Sequence, residues 1–130
     1  MSRLSEAFSK KTALIPFVMA GDPSLAVTEK LIFSLEKAGA DIIEIGVPFS
    51  DPIADGPVIQ AAHLRALKNN VSLADVLTLI KKVRTRTSIP LCLMLSYNLV
   101  LSFGVEQFFS TAARVGVDGV IMPSLLSTGG

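Results

Sequence analysis

Short apolar runs alternate along the chain with longer segments whose apolar positions recur at helical spacing, and this alternation predicts the order of elements. Ala13–Ala20 reads as a first strand, closed by the turn signal Gly21-Asp22-Pro23. Asp22 is expected to cap the next helix and Pro23 to occupy its first position. Leu31, Ile32, Leu35 and Ala38 then fall on one helical stripe, which ends at Gly39. Ile42–Val47 is the second strand, and Pro48–Pro57 is a loop rich in proline, aspartate and glycine. Val58–Lys68 reads as a helix ended by Asn69-Asn70. Ser72 caps another, supported by Asp75 and running to about Arg86. Pro90–Ser96 is a third strand, Tyr97–Gly104 a loop, Val105–Val115 a helix closed by Gly116, and Asp118–Met122 a fourth strand.

Strands separated by helices imply an α/β fold with a parallel sheet and right-handed crossovers. An open doubly wound sheet and part of a (β/α)₈ barrel both satisfy that order. No Gly-x-Gly-x-x-Gly follows the first strand, which argues against dinucleotide binding.

Composition narrows the class. Half of the 130 residues are hydrophobic and 18% are charged, with a net charge of +1. There is no basic excess to neutralise phosphates, so nucleic acid is not an expected partner. No apolar run approaches the roughly 20 residues of a membrane-spanning helix. The apolar content instead suits parallel strands covered on both faces. Met1–Lys11 lacks the apolar core of a secretory signal, and the single cysteine, Cys92, reads as a buried reduced thiol. The expected compartment is the cytoplasm. No cluster with metal-ligand spacing is present, so no metal is expected.

Glu44 carries the most chemical information. It is flanked by isoleucines within the second strand, and strand alternation puts it on the same face as Ile42 and Gly46. A carboxyl in such a strand is expensive to ionise, and burial would raise its pKa, making it a candidate general acid/base. It also lies toward the C-terminal end of its strand, the end that faces the active site in α/β folds. Asp55 follows in the next loop. Alone, Asp51 and Asp55 would pass for turn formers or caps, but a second carboxylate carried back over the strand end makes an acid/base pair with Glu44. His63 reads as a solvated helix residue beside Arg65 and Lys68. Arg84 and Arg86 read as solvated charges at a helix C-terminus. Tyr97 would reach the same rim as Glu44, as a packing residue or a substrate contact.

These residues form a recognisable pattern. Ile43-Glu44-Ile45-Gly46-Val47-Pro48-Phe49-Ser50-Asp51-Pro52, continuing through Ala54-Asp55-Gly56-Pro57-Val58-Ile59-Gln60, closely resembles the signature of the tryptophan synthase alpha chain family. Pro16–Pro23 resembles that family's first strand and turn, and Gly116–Val120 its entry to the fourth strand. The resemblance implies the N-terminal four βα units of a (β/α)₈ TIM barrel over residues 1–123, with residues 124–130 diverging. It implies retro-aldol cleavage of indole-3-glycerol phosphate to indole and glyceraldehyde 3-phosphate. By resemblance, Glu44 is the general acid/base that protonates indole C3, and Asp55 stabilises positive charge at the indole nitrogen. Phe17 and Ile59 line the indole pocket, with Tyr97 counted among the substrate contacts. Pro48 and Asp51 face the beta subunit in an alpha2-beta2 tetramer. That partner holds pyridoxal phosphate, and this chain is expected to carry no cofactor.

A closed barrel takes eight strands over about 250 residues, and this sequence supplies four strand candidates. The divergent end is consistent with a frameshift or premature stop. An unclosed half barrel would expose edges at Ala13–Ala20 and Asp118–Met122, predicting self-association. Three readings follow: a tryptophan synthase alpha chain, a non-catalytic remnant that docks on the beta subunit, and a different phosphate-handling barrel enzyme.

Overall fold

A computed structural model describes residues 2–9, 12–49 and 57–123. Helix α1 (Arg3–Phe8) precedes β1 (Phe17–Met19), α2 (Leu25–Lys37), β2 (Ile43–Gly46), α3 (Pro57–Lys68) and α4 (Leu73–Val83). Then come β3 (Leu91–Met94), α5 (Tyr97–Phe103), α6 (Val105–Val115) and β4 (Gly119–Ile121). The four strands form one sheet in the order β1-β2-β3-β4, with every neighbouring pair parallel. Consecutive order without a reversal leaves no topological switch point. It is the order of a barrel wall rather than of a doubly wound sheet.

The sheet separates its two faces by alternation. Val18, Ile43, Ile45, Leu91 and Leu93 join Ile32, Val76, Ile80, Val83, Phe108 and Ala112 in the main core, so this face packs against α2, α4 and α6. Phe17, Met19, Glu44, Gly46 and Cys92 alternate with those residues and face the other side. At the N-terminal end of that side, Ala7 and Leu4 of α1 cover Ile42 and Cys92. At the C-terminal end, Ile59, Ala62 and Ala66 of α3 cluster with Phe17 and Met19.

Local chemistry explains most boundaries and several departures from the sequence expectation. The cap of α2 is Ser24, whose side chain accepts from the Val27 N–H, and not Asp22. The Asp22 carboxylate is engaged elsewhere, by both Nε and Nη2 of Arg65. Helix α2 ends as expected at Gly39, where φ is +109° and the N–H groups of Gly39 and Ala40 donate to the carbonyls of Glu36 and Leu35. Ser72 and Asp75 form a reciprocal capping box on α4, which stops at Val83 rather than near Arg86. Tyr97–Phe103 is a helix and not a loop, because the Ser96 side chain accepts from the Leu99 N–H and caps it. Gly104, at φ +104°, separates it from α6. The strands are shorter than their apolar runs at both ends.

Candidate active site

Glu44 lies on β2, half-buried, between Phe17 of β1 and Cys92 of β3 in the parallel register. All three side chains share the face opposite the main helical core. Two residues on, Gly46 has no side chain for a steric reason: a Cβ there would lie 2.6 Å from Cζ of Phe17 and 3.1 Å from the Met19 methyl. The Phe17 ring therefore leans across Gly46, on the C-terminal side of Glu44. Ile59, in the first turn of α3, packs into the same cluster. The fold thus places a carboxyl beside an apolar wall at the strand ends, and brings together Phe17 and Ile59, 42 positions apart in sequence.

Pro48 is buried just past β2. Tyr97 is 55% exposed on the first turn of α5. Asp51 and Asp55 lie outside the described residues.

His63 departs from expectation. It is only 7% exposed, and its Nδ1 accepts a hydrogen bond from the Phe49 N–H at 3.0 Å. The signal was available in the sequence: Ile59, Ala62, His63 and Ala66 stand at i, i+3, i+4 and i+7, the spacing of one buried helical stripe. The charged neighbours Arg65 and Lys68 masked it.

Arg84 is the second correction. Its side chain is 12% exposed and pairs with Asp118 at 2.5 Å. It also donates to the carbonyls of Gly116 and Ile89. Burial pulls the guanidinium below its ordinary value, and the Asp118 charge opposes that shift. Asp118 further accepts from Nε of Arg3 at 2.7 Å and from the Leu91 N–H at 2.9 Å. Nothing local marks these contacts, because the partners stand 115, 34 and 27 positions from Asp118. Arg86 does remain exposed, with its guanidinium 4.4 Å from the centroid of the Phe33 ring.

Cys92 is buried and reduced, as expected. Burial pushes its thiol up, and the negative charges of Asp118 and Glu44 push it in the same direction. The cysteine is held protonated, which is the opposite of an activated nucleophile. Among the described residues no group of three or more histidine, cysteine or acidic side chains could hold a metal ion.

Residues 4–127 match the family model for the tryptophan synthase alpha chain. The chain belongs to the tryptophan synthase alpha chain family. Against the alpha chain of Geotalea uraniireducens it is 52% identical over 130 residues, covering 96% of this chain and 49% of that relative. It superposes on the alpha subunit of Legionella pneumophila str. Paris with a TM-score of 0.92 at 38% identity, covering 96% of this chain and 50% of that one. On the tryptophan synthase complex from Pyrococcus furiosus the TM-score is 0.84 at 42% identity, covering 89% of this chain and 48% of that one. The chain spans about half the length of the curated relatives it matches. Its four parallel strands are those of an incomplete TIM barrel.

Proposed function

We propose that this chain carries the acid/base part of a tryptophan synthase alpha site and serves the cleavage of indole-3-glycerol phosphate to indole and glyceraldehyde 3-phosphate. The observation that carries the reading is Glu44, set on the barrel-facing side of β2 with the Phe17 ring leaning across Gly46 and Ile59 packed in the same apolar cluster as Phe17. A flat apolar indole fits that wall, with its C3 toward the carboxyl.

The chemistry asks little more of the protein. A proton delivered to indole C3 by Glu44 leaves a cation whose charge falls on the ring nitrogen. Asp55, as the second acid, stabilises that charge. The Glu44 carboxylate, having given up its proton, then takes the side-chain hydroxyl proton. The bond to C3 breaks, its electron pair passes into the ring and neutralises the nitrogen, and indole and the aldehyde are released. Protons and charge are handled by carboxyl groups, so the chain carries no cofactor of its own, and pyridoxal phosphate belongs to the beta subunit. Tyr97 is a further substrate contact, and Asp51 is a contact to the beta subunit in an alpha2-beta2 assembly, the buried Pro48 setting the start of the segment that carries it. In barrels of this class the phosphate is commonly gripped after strands seven and eight, so no described residue is assigned to it. Cytoplasmic biosynthesis suits this reading, and among the described residues no helix is long and apolar enough to cross a membrane.

The test is indole release from indole-3-glycerol phosphate by this chain mixed with the C-terminal half of the Geotalea uraniireducens relative. Release is expected. Two halves that associate and fold without releasing indole overturn the proposal. A second reading, docking on the beta subunit through Pro48–Asp55 without catalysis, rests on the likeness to the tryptophan synthase complex from Pyrococcus furiosus. It predicts stimulation of the beta subunit with no indole released.

A further inference from the structure

Helix α3 touches the exits of two neighbouring strands. On the β1 side, Arg65 donates to both oxygens of Asp22 at 2.7 and 2.9 Å, with the arginine exposed and the aspartate largely covered. Asn69 Nδ2 donates to the carbonyls of Gly21, at 3.1 Å, and Pro23. Gly21 is itself constrained to glycine, with φ +86° and Val71 Cγ2 only 2.4 Å from where a Cβ would stand. The turn that receives α3 is therefore fixed.

On the β2 side a backbone N–H does the corresponding task. The Phe49 N–H donates to Nδ1 of His63 at 3.0 Å, three residues past the end of β2. An amide N–H has no lone pair, so Nδ1 is the acceptor and carries no proton. An apolar side chain could fill the space of a 7% exposed imidazole, but it would leave a part-buried backbone donor without its partner.

We infer that His63 is a positioning residue that clasps the exit of β2 to α3. It fixes the point at which the chain leaves the rim beyond Glu44, immediately before the sequence that carries Asp51 and Asp55. Its bearing on catalysis rests on the reading of Glu44 and Asp55 given above; the clasp itself does not.

The experiment is nuclear magnetic resonance on the ¹⁵N-labelled chain without substrate. Through-hydrogen-bond coupling between the Phe49 amide nitrogen and His63 Nδ1 is expected. In His63→Leu the Phe49 amide should exchange with solvent roughly tenfold faster, the loss of about one hydrogen bond. The amides of Ile45 and Leu93 should keep their protection. His63→Asn, whose Oδ1 falls near the lost Nδ1, should restore protection at Phe49. A well-dispersed wild-type spectrum without the coupling overturns the inference, as does unchanged Phe49 exchange in His63→Leu. If the leucine variant does not fold, the wild-type coupling and the asparagine variant decide. Indole release is not the readout, so failure of the clasp and failure of the proposed reaction remain distinguishable.

Discussion

At the N-terminal end of the sheet, Asp118 stands between Arg84 and Arg3 and also accepts the N–H of Leu91, with each oxygen of the carboxylate engaged. At the C-terminal end, Glu44 is half-buried beside Phe17 in the register, and among the described residues the neighbouring cluster of Phe17, Met19, Ile59, Ala62 and Ala66 is apolar. Both are acids on or beside barrel strands. The first is held by two guanidinium groups and a backbone donor, an arrangement that ties β3 to the segments carrying Arg3 and Arg84. The second is surrounded by the shape of a ring. The contrast follows the division of labour in such barrels, where one face holds the fold and the other carries the chemistry.

Removing one partner from the Asp118 network is the strongest way to test the first half of this contrast. Asp118→Ala leaves Arg84 buried without its carboxylate and should cost about 3–5 kcal/mol in urea unfolding. Indole release per folded molecule should be unchanged in the reconstituted barrel. A stability change below about 1 kcal/mol would mean that this end is not held by the ion pair.

A smaller effect is expected on the other side. Gly46→Ala puts a methyl where Phe17 Cζ lies 2.6 Å away, so the ring must move. A loss of about 1–3 kcal/mol in stability is typical of such overpacking. The sharper readout is a raised KM for indole-3-glycerol phosphate, because the displaced ring forms the proposed pocket wall. An unchanged KM would separate Phe17 from the substrate.

The smallest effect belongs to Cys92, which borders both regions. Burial raises its pKa in the folded state above the ordinary value of 9.0. The unfolded chain therefore loses the thiol proton first, and this contribution to stability is present below about pH 9 and declines as pH rises through the folded value. Urea unfolding of the wild type and Cys92→Ala from pH 8 to 10.5 should show a steeper decline for the wild type. Parallel curves would contradict it.

Much of this organisation was legible in the sequence, for physical reasons particular to each element. Strand order, the Gly39 and Gly116 stops and the Ser72–Asp75 box are written in local chemistry, since each depends on residues within a few positions of one another. Glu44 stood out because a carboxyl between isoleucines violates the pattern of a buried strand. The α2 cap was harder, because Asp22 and Ser24 compete for it and the pull of Arg65 on Asp22 decides it. His63 and Arg84 were missed for opposite reasons. The first lay on a readable stripe hidden by neighbouring charges, and the second depends on partners far along the chain. The shared cluster of Phe17 and Ile59 also needed the fold, because only the packing of α3 against β1 brings both to it.

The central claim is that the rim end acts chemically through Glu44 while the opposite end holds the sheet. Glu44→Gln keeps the shape of the side chain and removes its capacity to deliver and accept a proton. Indole release from indole-3-glycerol phosphate by the reconstituted barrel, measured beside urea unfolding of the same samples, tests the claim most directly. The account predicts that kcat falls by about 10²–10⁴-fold while the unfolding midpoint stays within error of the wild type. Undiminished release in Glu44→Gln, or a loss of activity that only tracks a loss of fold, would contradict it.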